Sequence, residues 1–357
     1  RSRSELGIPD DAFVICTVGR LSFSSKSHPA TLYRSIEMLA EAGRPVVLVE
    51  CGCYPSVEVR QAYERLLESF PRVRRILVGG DQPASARDKW GVYAAADVFV
   101  SLSDSIQETF GLTILEAMLA ELPVVASDWN GYRDLVVHNL TGLLIPTTDL
   151  LPTLTQDPMQ VGFYSGQLDY DRWVGIASLG VIADQKAFMA ALTSLIENPK
   201  LGCSFAASGL QRYQDSFSPS SVIARYRNLW GELKGLRKRA LSTPLYRTGR
   251  APEMGTLFSH YATTSQSIQN IVVIDQERLG PLLESGLGPW FNDLVFAGKH
   301  KVCQQLLGDS AIVSERQLIS LGYSTDQAQR ILAVLLKFGL ARLLIPEELE
   351  QNSSTIS

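Results

Sequence analysis

Three features are missing from this 357-residue chain: long apolar runs, paired metal-type cysteine motifs and an excess of positive charge. No apolar stretch has the roughly 20 residues that a membrane-spanning helix needs, and no signal peptide opens the chain, so we expect no transmembrane segment. The formal net charge of -4 gives no electrostatic attraction for phosphate backbones or acidic membranes. We therefore expect no nucleic-acid partner.

Cysteine is also scarce, and its positions exclude two further classes of protein. The pair Cys51 and Cys53 has no second pair to complete a zinc site, and no Asp-x-Asp metal motif appears, so no metal site is expected. An odd number of cysteines near apolar strands fits a reducing compartment better than a disulfide framework. We expect a cytoplasmic protein without a cofactor. The five cysteines are Cys16, Cys51, Cys53, Cys203 and Cys303.

Short apolar runs alternate with helical patterns over the first 150 residues. The runs are apolar on both faces, which is typical of parallel strands covered by helices on both sides. This order predicts an α/β fold with a doubly wound parallel sheet and a ligand at the C-terminal ends of its strands. The predicted strands are residues 13–18, 46–49, 76–78, 98–100, 124–126 and 143–145.

The pattern changes after the predicted sheet. Residues 150–184 look rich in loops, and helices are predicted at 186–197, 201–214 and 220–236. Proline and glycine cluster between 241 and 255, which predicts a linker. We expect a first domain over 1–240, a linker over 241–255 and a small, mostly helical extension over 256–357. The extension ends in a helix-turn-helix-like segment with few basic residues, so a packing or protein-interaction module is favoured over DNA binding.

Two glutamates, Glu108 and Glu116, frame a predicted helix start ahead of the apolar strand 124–126. We place Glu108 in the loop and Glu116 inside the helix. Gly111 near the helix start leaves backbone N–H groups available to an anionic or hydroxyl-rich ligand. Carboxylates beside such a helix start suit a sugar nucleotide.

These residues form part of an ordered set of motifs. Gly19-Arg20-Leu21 follows the first strand, Lys26 comes next, and the runs ADVFVSLSDS, Glu-x7-Glu and PVVASDWNGYRD follow in that order. The set strongly resembles the retaining glycosyltransferases of family 4, which have the GT-B fold. The resemblance covers roughly residues 5–235 and aligns them with the C-terminal, donor-binding domain of that fold.

The resemblance implies a role for each matching residue. Catalytic roles at the leaving diphosphate and the transferred sugar fall to Arg20, Lys26 and Glu108. Donor-binding roles are implied for Gly19, Gly80, Asp81, Phe110, Gly111, Leu112 and Glu116. Glu116 takes the ribose hydroxyls, and Gly80 and Asp81 line the base pocket. The implied reaction retains anomeric configuration and needs no divalent metal.

The same resemblance implies that the N-terminal acceptor domain is absent from this chain. The helix at 220–236 crosses to that domain in the family, so its apolar face should be partly exposed here. The expected donor is a UDP-, GDP- or ADP-linked sugar; the acceptor is unknown, and peripheral membrane association through the missing domain stays open. Two alternatives remain: a non-catalytic nucleotide-sugar-binding module and a GT-B-fold nucleotide-sugar epimerase.

Overall fold

A computed structural model describes residues 3–23, 25–150, 162–166, 169–240, 257–265, 271–275 and 312–343. Its centre is a six-stranded sheet in which every neighbouring pair of strands is parallel. The strands are β1 (Phe13–Val18), β2 (Val46–Cys53), β3 (Arg74–Gly80), β4 (Val98–Ser101), β5 (Val124–Ser127) and β6 (Gly142–Ile145). Their order is β3-β2-β1-β4-β5-β6. Strands β2 and β3 lie on one side of β1, and strands β4, β5 and β6 lie on the other. This order confirms the predicted doubly wound fold.

Helices cover both faces of the sheet, and alternate strand residues enter two separate cores. Ile15 and Leu48 enter the core beneath α1 and α2, whereas Val14 and Val47 enter the core beneath α3, α4 and α5. This alternation follows from the two-residue repeat of a β-strand. The five helices are α1 (Ala30–Glu41), α2 (Val57–Glu68), α3 (Ala86–Ala95), α4 (Leu112–Leu119) and α5 (Tyr132–Leu135).

The segment after β6 contains more regular structure than the sequence suggests. Strands β7 (Thr147–Asp149) and β8 (Val181–Ala183) pair antiparallel, and helix α6 (Tyr170–Leu179) lies between them in sequence. Asp169 caps α6 by accepting a 2.8 Å hydrogen bond from the backbone N–H of Arg172. The prediction of a loop is therefore wrong for residues 170–179. Apolar side chains of α6 are buried, and their burial stabilises the helix.

Three further helices follow: α7 (Gln185–Glu197), α8 (Pro199–Arg212) and, after a π-helical turn at Tyr213–Phe217, α9 (Pro219–Ala240). The apolar side chains of α9 are exposed to solvent, which confirms the predicted exposure of this face. They are Ile223, Tyr226, Leu229, Trp230, Leu233 and Leu236. Among the described helices, none is both long enough and apolar enough to cross a membrane.

The described C-terminal residues pack against the sheet domain. Strand β9 (Thr264–Ser265) pairs with β7, and a second small sheet has the order β11-β10-β12, formed by β10 (Ile271–Ile274), β11 (Ile312–Ser314) and β12 (Ala341–Leu343). Capping boxes at Ser314 and Ser324 start α10 (Glu315–Ser320) and α11 (Thr325–Lys337). Apolar residues of α11 join the core beneath α1 and α2. The predicted linker 241–255 lies outside the described residues, and the domain boundaries stay a prediction.

Candidate functional site

The predicted site residues gather at the C-terminal edge of the main sheet. Gly19 and Arg20 follow β1, and Glu108 lies in the loop between β4 and α4. Strands β1 and β4 are neighbours in the sheet although two other strands separate them in sequence. The crossover therefore brings these two loops together at the position where doubly wound sheets bind their ligands. We call residues 19–29 the basic loop and residues 102–111 the acidic loop.

Lys26 of the basic loop and Glu108 of the acidic loop form a direct ion pair between Nζ and Oε2. The Glu108 side chain is largely buried, whereas the Lys26 side chain is about one-third exposed. The backbone of Glu108 is fixed by a 3.0 Å bond from its N–H to the carbonyl of Ser105. The pair places one positive and one negative group side by side at an accessible edge, in reach of an incoming ligand.

Helix α4 begins beside this pair, and Gly111 sets its direction. Gly111 is the N-cap residue and has a left-handed backbone with φ of 98°. A Cβ atom at this position would lie 2.4 Å from Cε1 of Tyr132. Only glycine fits both constraints, because other residues meet a steric cost at positive φ and here also a clash. Helix α4 begins four residues after Glu108, and the first N–H groups of a helix have no acceptor within the helix itself.

The two residues beside Gly111 that the resemblance assigns to donor binding are both exposed. Phe110 is 40% exposed and Leu112 is 69% exposed, which are high values for side chains of this size. Phe110 makes an edge-to-face contact with Phe217, whose ring centroid lies 6.3 Å away. A ligand at this position could bind the backbone N–H groups of these two residues.

Glu116 lies inside α4, and two side chains contact its carboxylate. Lys89 Nζ lies 2.5 Å from Oε1, and the Tyr93 hydroxyl donates a 3.0 Å hydrogen bond to Oε2. Burial and the nearby Glu116 charge raise the pKa of Tyr93 well above its ordinary value. Tyr93 therefore remains a hydrogen-bond donor at neutral pH, and together with Lys89 it fixes the position of the Glu116 side chain.

Glycines let the chain approach closely around Arg20. A Cβ atom on Gly52, at the end of β2, would lie 1.8 Å from the carbonyl oxygen of Gly19. The stem of Lys26 crosses Gly19 on its other side, with Cε 3.5 Å from where a Gly19 Cβ would stand. Arg20 is exposed and makes no ion pair with a described residue. Its guanidinium is thus available at the same edge as Lys26.

Gly80, the last residue of β3, and Asp81, which follows it, lie at the same edge but further out. Two strands, β2 and β1, separate them from the acidic loop. Gly80 is buried, and Asp81 is exposed and forms a 2.7 Å ion pair with Arg60 of α2. The structure therefore brings Lys26 and Glu108 into contact and leaves Gly80 and Asp81 at a distance that only an extended ligand would bridge.

Several residues around the site escaped sequence reasoning. Lys89 and Tyr93 carry no motif of their own, and only their position on α3 beside α4 reveals their contact with Glu116. Trp129 and Tyr132 are both buried and are therefore packing residues. The Tyr132 hydroxyl also lies 2.7 Å from Oγ of Ser101, and burial followed by the Glu108 charge raises its pKa.

A family model matches the part of the chain that contains the candidate site. Residues 1–150 match the family model described as Glycosyl transferases group 1. The matched segment contains β1 to β6 and every residue of the candidate site. The match therefore covers the sheet and the edge that carries the candidate site.

Individual relatives agree with the family model. A D-inositol 3-phosphate glycosyltransferase of Saccharomonospora viridis is 34% identical over 158 residues, which are 42% of this chain and 34% of the relative. The sulfoquinovosyl transferase of Arabidopsis thaliana is 37% identical over 143 residues, or 40% of this chain and 24% of that protein.

Among solved structures, sucrose-phosphate synthase from Thermosynechococcus elongatus superposes with a TM-score of 0.47 at 22% identity, over 66% of this chain and 48% of that one. The chain spans about a third of the length of the first curated relatives it matches. Residues 1–150 of this chain are similar to the group 1 glycosyltransferases.

Proposed function

We propose that this chain is the donor-binding part of a retaining, family-4-like glycosyltransferase that takes a sugar from a UDP-, GDP- or ADP-linked donor. The observation that carries the proposal is the meeting of Lys26 and Glu108 beside the start of α4. A nucleotide sugar has a charged diphosphate next to a hydroxyl-rich ring. A cation, a carboxylate and a helix N-terminus at one edge match those two parts.

The diphosphate end of the donor is assigned to the basic loop. Negative charge builds up on the departing nucleoside diphosphate, so groups that favour charge there lower the barrier more than they tighten substrate binding. Arg20 offers a planar fork of donors and Lys26 a compact ammonium group. Gly19 supports them because its backbone allows the close approach described above, and the N–H groups of Phe110, Gly111 and Leu112 add donors from α4.

The sugar and ribose ends are assigned to the two glutamates. Glu108 accepts hydrogen bonds from hydroxyls of the transferred sugar, next to the phosphate that Lys26 binds. Glu116 accepts hydrogen bonds from the ribose hydroxyls. Each carboxylate oxygen of Glu116 already has one partner but has a second lone pair for a ribose hydroxyl. Gly80 and Asp81 then lie where the base of an extended nucleotide reaches.

The reaction follows from this placement. The bond between the anomeric carbon and the diphosphate oxygen breaks, and a bond from an acceptor oxygen to that carbon forms on the same face. The acceptor proton passes to the departing diphosphate, and the basic loop stabilises its charge. This route retains anomeric configuration and uses no divalent metal. We place the protein in the cytoplasm, where nucleotide sugars and reduced cysteines occur together.

The acceptor must approach from the open side of the edge, and α9 indicates what covers that side. Its exposed side chains include Trp230, which is 61% exposed, and Leu236, which is 52% exposed. We assign this face to the acceptor domain of the same enzyme. The relatives' names point to different chemistry, inositol phosphate in one case and sulfoquinovose in another, so they select no acceptor for this chain.

A binding module without catalysis would need Glu116 and the helix start but not a full set of charged groups at the phosphate. The presence of both Arg20 and Lys26 therefore favours an enzyme. A nucleotide-sugar epimerase would need additional acid and base groups near the sugar, and Glu108 is committed to Lys26. Transfer is the function that the arrangement supports best.

Calorimetric titration of the chain with UDP, GDP and ADP tests donor binding. We expect one of them to bind, and Glu116→Ala to weaken that binding by about tenfold, which is about 1.4 kcal/mol. Glu68→Ala, an exposed glutamate on α2, is the matched control and should bind like the parent chain. Absence of binding by all three nucleotides, or equal binding by the Glu116→Ala variant, would reject the site.

A second measurement separates the enzyme from a binder. The longest natural protein that contains this chain is incubated with the nucleotide sugar and candidate acceptors, and release of nucleoside diphosphate is followed. Arg20→Ala should reduce that release strongly. If the donor binds but nucleoside diphosphate is released neither by transfer to an acceptor nor by hydrolysis, the binding-module alternative holds.

A further inference from the structure

The end of α11 contacts both loops of the candidate site. Lys337 Nζ lies 2.6 Å from Oδ2 of Asp104 in the acidic loop. The same ammonium group also donates to the carbonyl of Ser178 at the end of α6. Both side chains of the Lys337–Asp104 pair are nearly inaccessible, at 5% and 9% exposure. Lys337 therefore joins the C-terminal extension to the segment that carries Glu108, four residues further on.

Phe338 makes the corresponding contact with the basic loop. Its ring meets that of His28 edge-on, with centroids 4.3 Å apart, and His28 packs in turn against Phe23 at 4.7 Å. The carbonyl of Phe338 accepts a hydrogen bond from Arg34 of α1. His28 lies two residues after Lys26. Consecutive residues of α11 and its C-cap thus touch the two loops that supply Lys26 and Glu108.

The two loops are also tied to each other at the same place. The backbone N–H of Asp104 lies 3.3 Å from the carbonyl oxygen of Lys26, and Oγ of Ser103 donates to that carbonyl at 3.1 Å. A displacement of Asp104 would therefore be transmitted to the backbone of Lys26 as well as to Glu108. Asp104 is the point at which the extension, the acidic loop and the basic loop meet.

A buried charge on α11 needs a reason beyond packing. The other buried residues of this helix are all apolar: Ala328, Ile331, Leu332, Ala333, Val334 and Leu335. Burying an ammonium and a carboxylate costs desolvation energy that an apolar pair of similar size would avoid. Burial raises the pKa of Asp104, against the opposing effect of Lys337. An ion pair fixes a single geometry between its two side chains, whereas an apolar pair does not.

We propose that Lys337 is a positioning residue for the donor site: through Asp104, and with Phe338 on His28, it fixes the spacing of the basic and acidic loops so that Lys26 and Glu108 meet the donor together. The inference rests on the function proposed above. It gives the C-terminal extension a role in donor binding through its contacts with the two loops. Misplacement of binding groups by about 1 Å is enough to cost a large factor in rate or affinity.

The test compares stability with nucleotide affinity in the full 357-residue chain. Lys337→Met should lower the melting temperature and weaken binding of the nucleoside diphosphate that the parent chain prefers among UDP, GDP and ADP by about tenfold. The double variant Lys337→Met with Asp104→Asn removes the unpaired buried carboxylate and should regain stability. Its affinity should stay low, because the tie between α11 and the acidic loop is still missing. Lys200→Met, at an exposed position, is the matched control.

The outcomes are distinct. If affinity follows stability in every variant and returns in the double variant, Lys337 has only a structural role and the inference is overturned. If the parent chain binds a nucleotide and folded Lys337→Met binds it equally well, the inference fails while the proposed function stands. Absence of binding by the parent chain rejects both. Should Lys337→Met not fold, Asp104→Asn and Phe338→Leu retain more of the packing, and weaker binding by these folded variants is the expected result.

Discussion

Lys26 and Glu108 are 82 positions apart and form an ion pair across neighbouring strand ends. In the chain without donor, each of these side chains is the partner of the other. A diphosphate that binds Lys26 must share that cation with the Glu108 carboxylate, which repels it. The sugar hydroxyls of a complete donor offset this repulsion, because they donate hydrogen bonds to Glu108. With the donor placed as proposed, the pair should favour a nucleotide sugar over the free nucleoside diphosphate.

Removing the positive charge of this pair should weaken nucleoside diphosphate binding, and removing the negative charge should not. Lys26→Met removes a cation at the diphosphate and should weaken binding by about tenfold, whereas Glu108→Gln removes a repelling charge and should leave binding unchanged or tighten it. Titration calorimetry at low and high salt measures both effects. Equal weakening by the two variants would show that the pair acts only as a structural support. Glu108→Gln should nevertheless reduce sugar transfer in the complete enzyme.

The backbone of Gly111 provides a stability prediction. Gly111→Ala combines a left-handed φ of 98° with a Cβ that would stand 2.4 Å from Tyr132, so the free energy of unfolding should fall by about 3 kcal/mol. Gly7→Ala is the matched control: it has a φ of 65° and nothing within 4 Å of its Cβ. That variant should lose only about 1 kcal/mol. Urea unfolding followed by circular dichroism gives both values, and equal losses would contradict the clash.

The exposed face of α9 predicts unusual tolerance to polar substitution. Trp230→Gln should change the free energy of unfolding by no more than about 0.5 kcal/mol in this chain, because the side chain is 61% exposed. Trp129→Ala should instead cost about 3 to 5 kcal/mol, since this side chain is 2% exposed. Thermal unfolding of the two variants is the measurement. A large loss in Trp230→Gln would mean that α9 is covered within the chain, contrary to the proposed acceptor-domain contact.

Buried tyrosines predict a loss of stability in alkali. Burial raises the pKa of several phenols above their ordinary value of 10.0; they are Tyr33, Tyr63, Tyr93 and Tyr132. Below pH 10 both states of the chain keep these protons. Above it only the unfolded chain loses them, so the free energy of unfolding falls as pH rises, by up to about 1.4 kcal/mol per pH unit for each tyrosine.

Urea unfolding across the alkaline range measures this slope, and tyrosinate absorbance reports the ionisation. Tyr63→Phe removes one contribution and should make the slope shallower. Tyr226→Phe, at an exposed position on α9, is the matched control. A slope that Tyr63→Phe leaves unchanged would contradict the assignment of this buried phenol to the alkaline transition.

Much of the fold was predictable from local pattern. The apolar runs predict all six strands of the sheet, and Ser314 and Ser324 predict the starts of α10 and α11. Helix α6 was missed because Trp173 and its apolar neighbours form a short helix between polar stretches. The placement of Glu108 in a loop and Glu116 in a helix was also predictable, because Gly111 separates the two.

Contacts between distant segments could not be predicted in this way. Lys89 and Tyr93 reach Glu116 only because α3 packs beside α4 on one face of the sheet. Lys337 and Asp104 are 233 positions apart, and neither has a spacing that indicates the other. A lysine in the helical pattern of α11 looks like a solvated residue, and only the packed structure shows it buried.

The sequence by itself determined the doubly wound sheet, the order of its elements and the identity of the residues at its ligand edge. Hydrophobic periodicity, glycine conformation and helix caps are local properties, and each is encoded within a few neighbouring residues. The tertiary structure alone decided that Lys26 forms an ion pair with Glu108 and that α11 contacts the loops that carry these two residues. Such pairings depend on how helices and strands pack in three dimensions, and no local repeat in the chain records that packing.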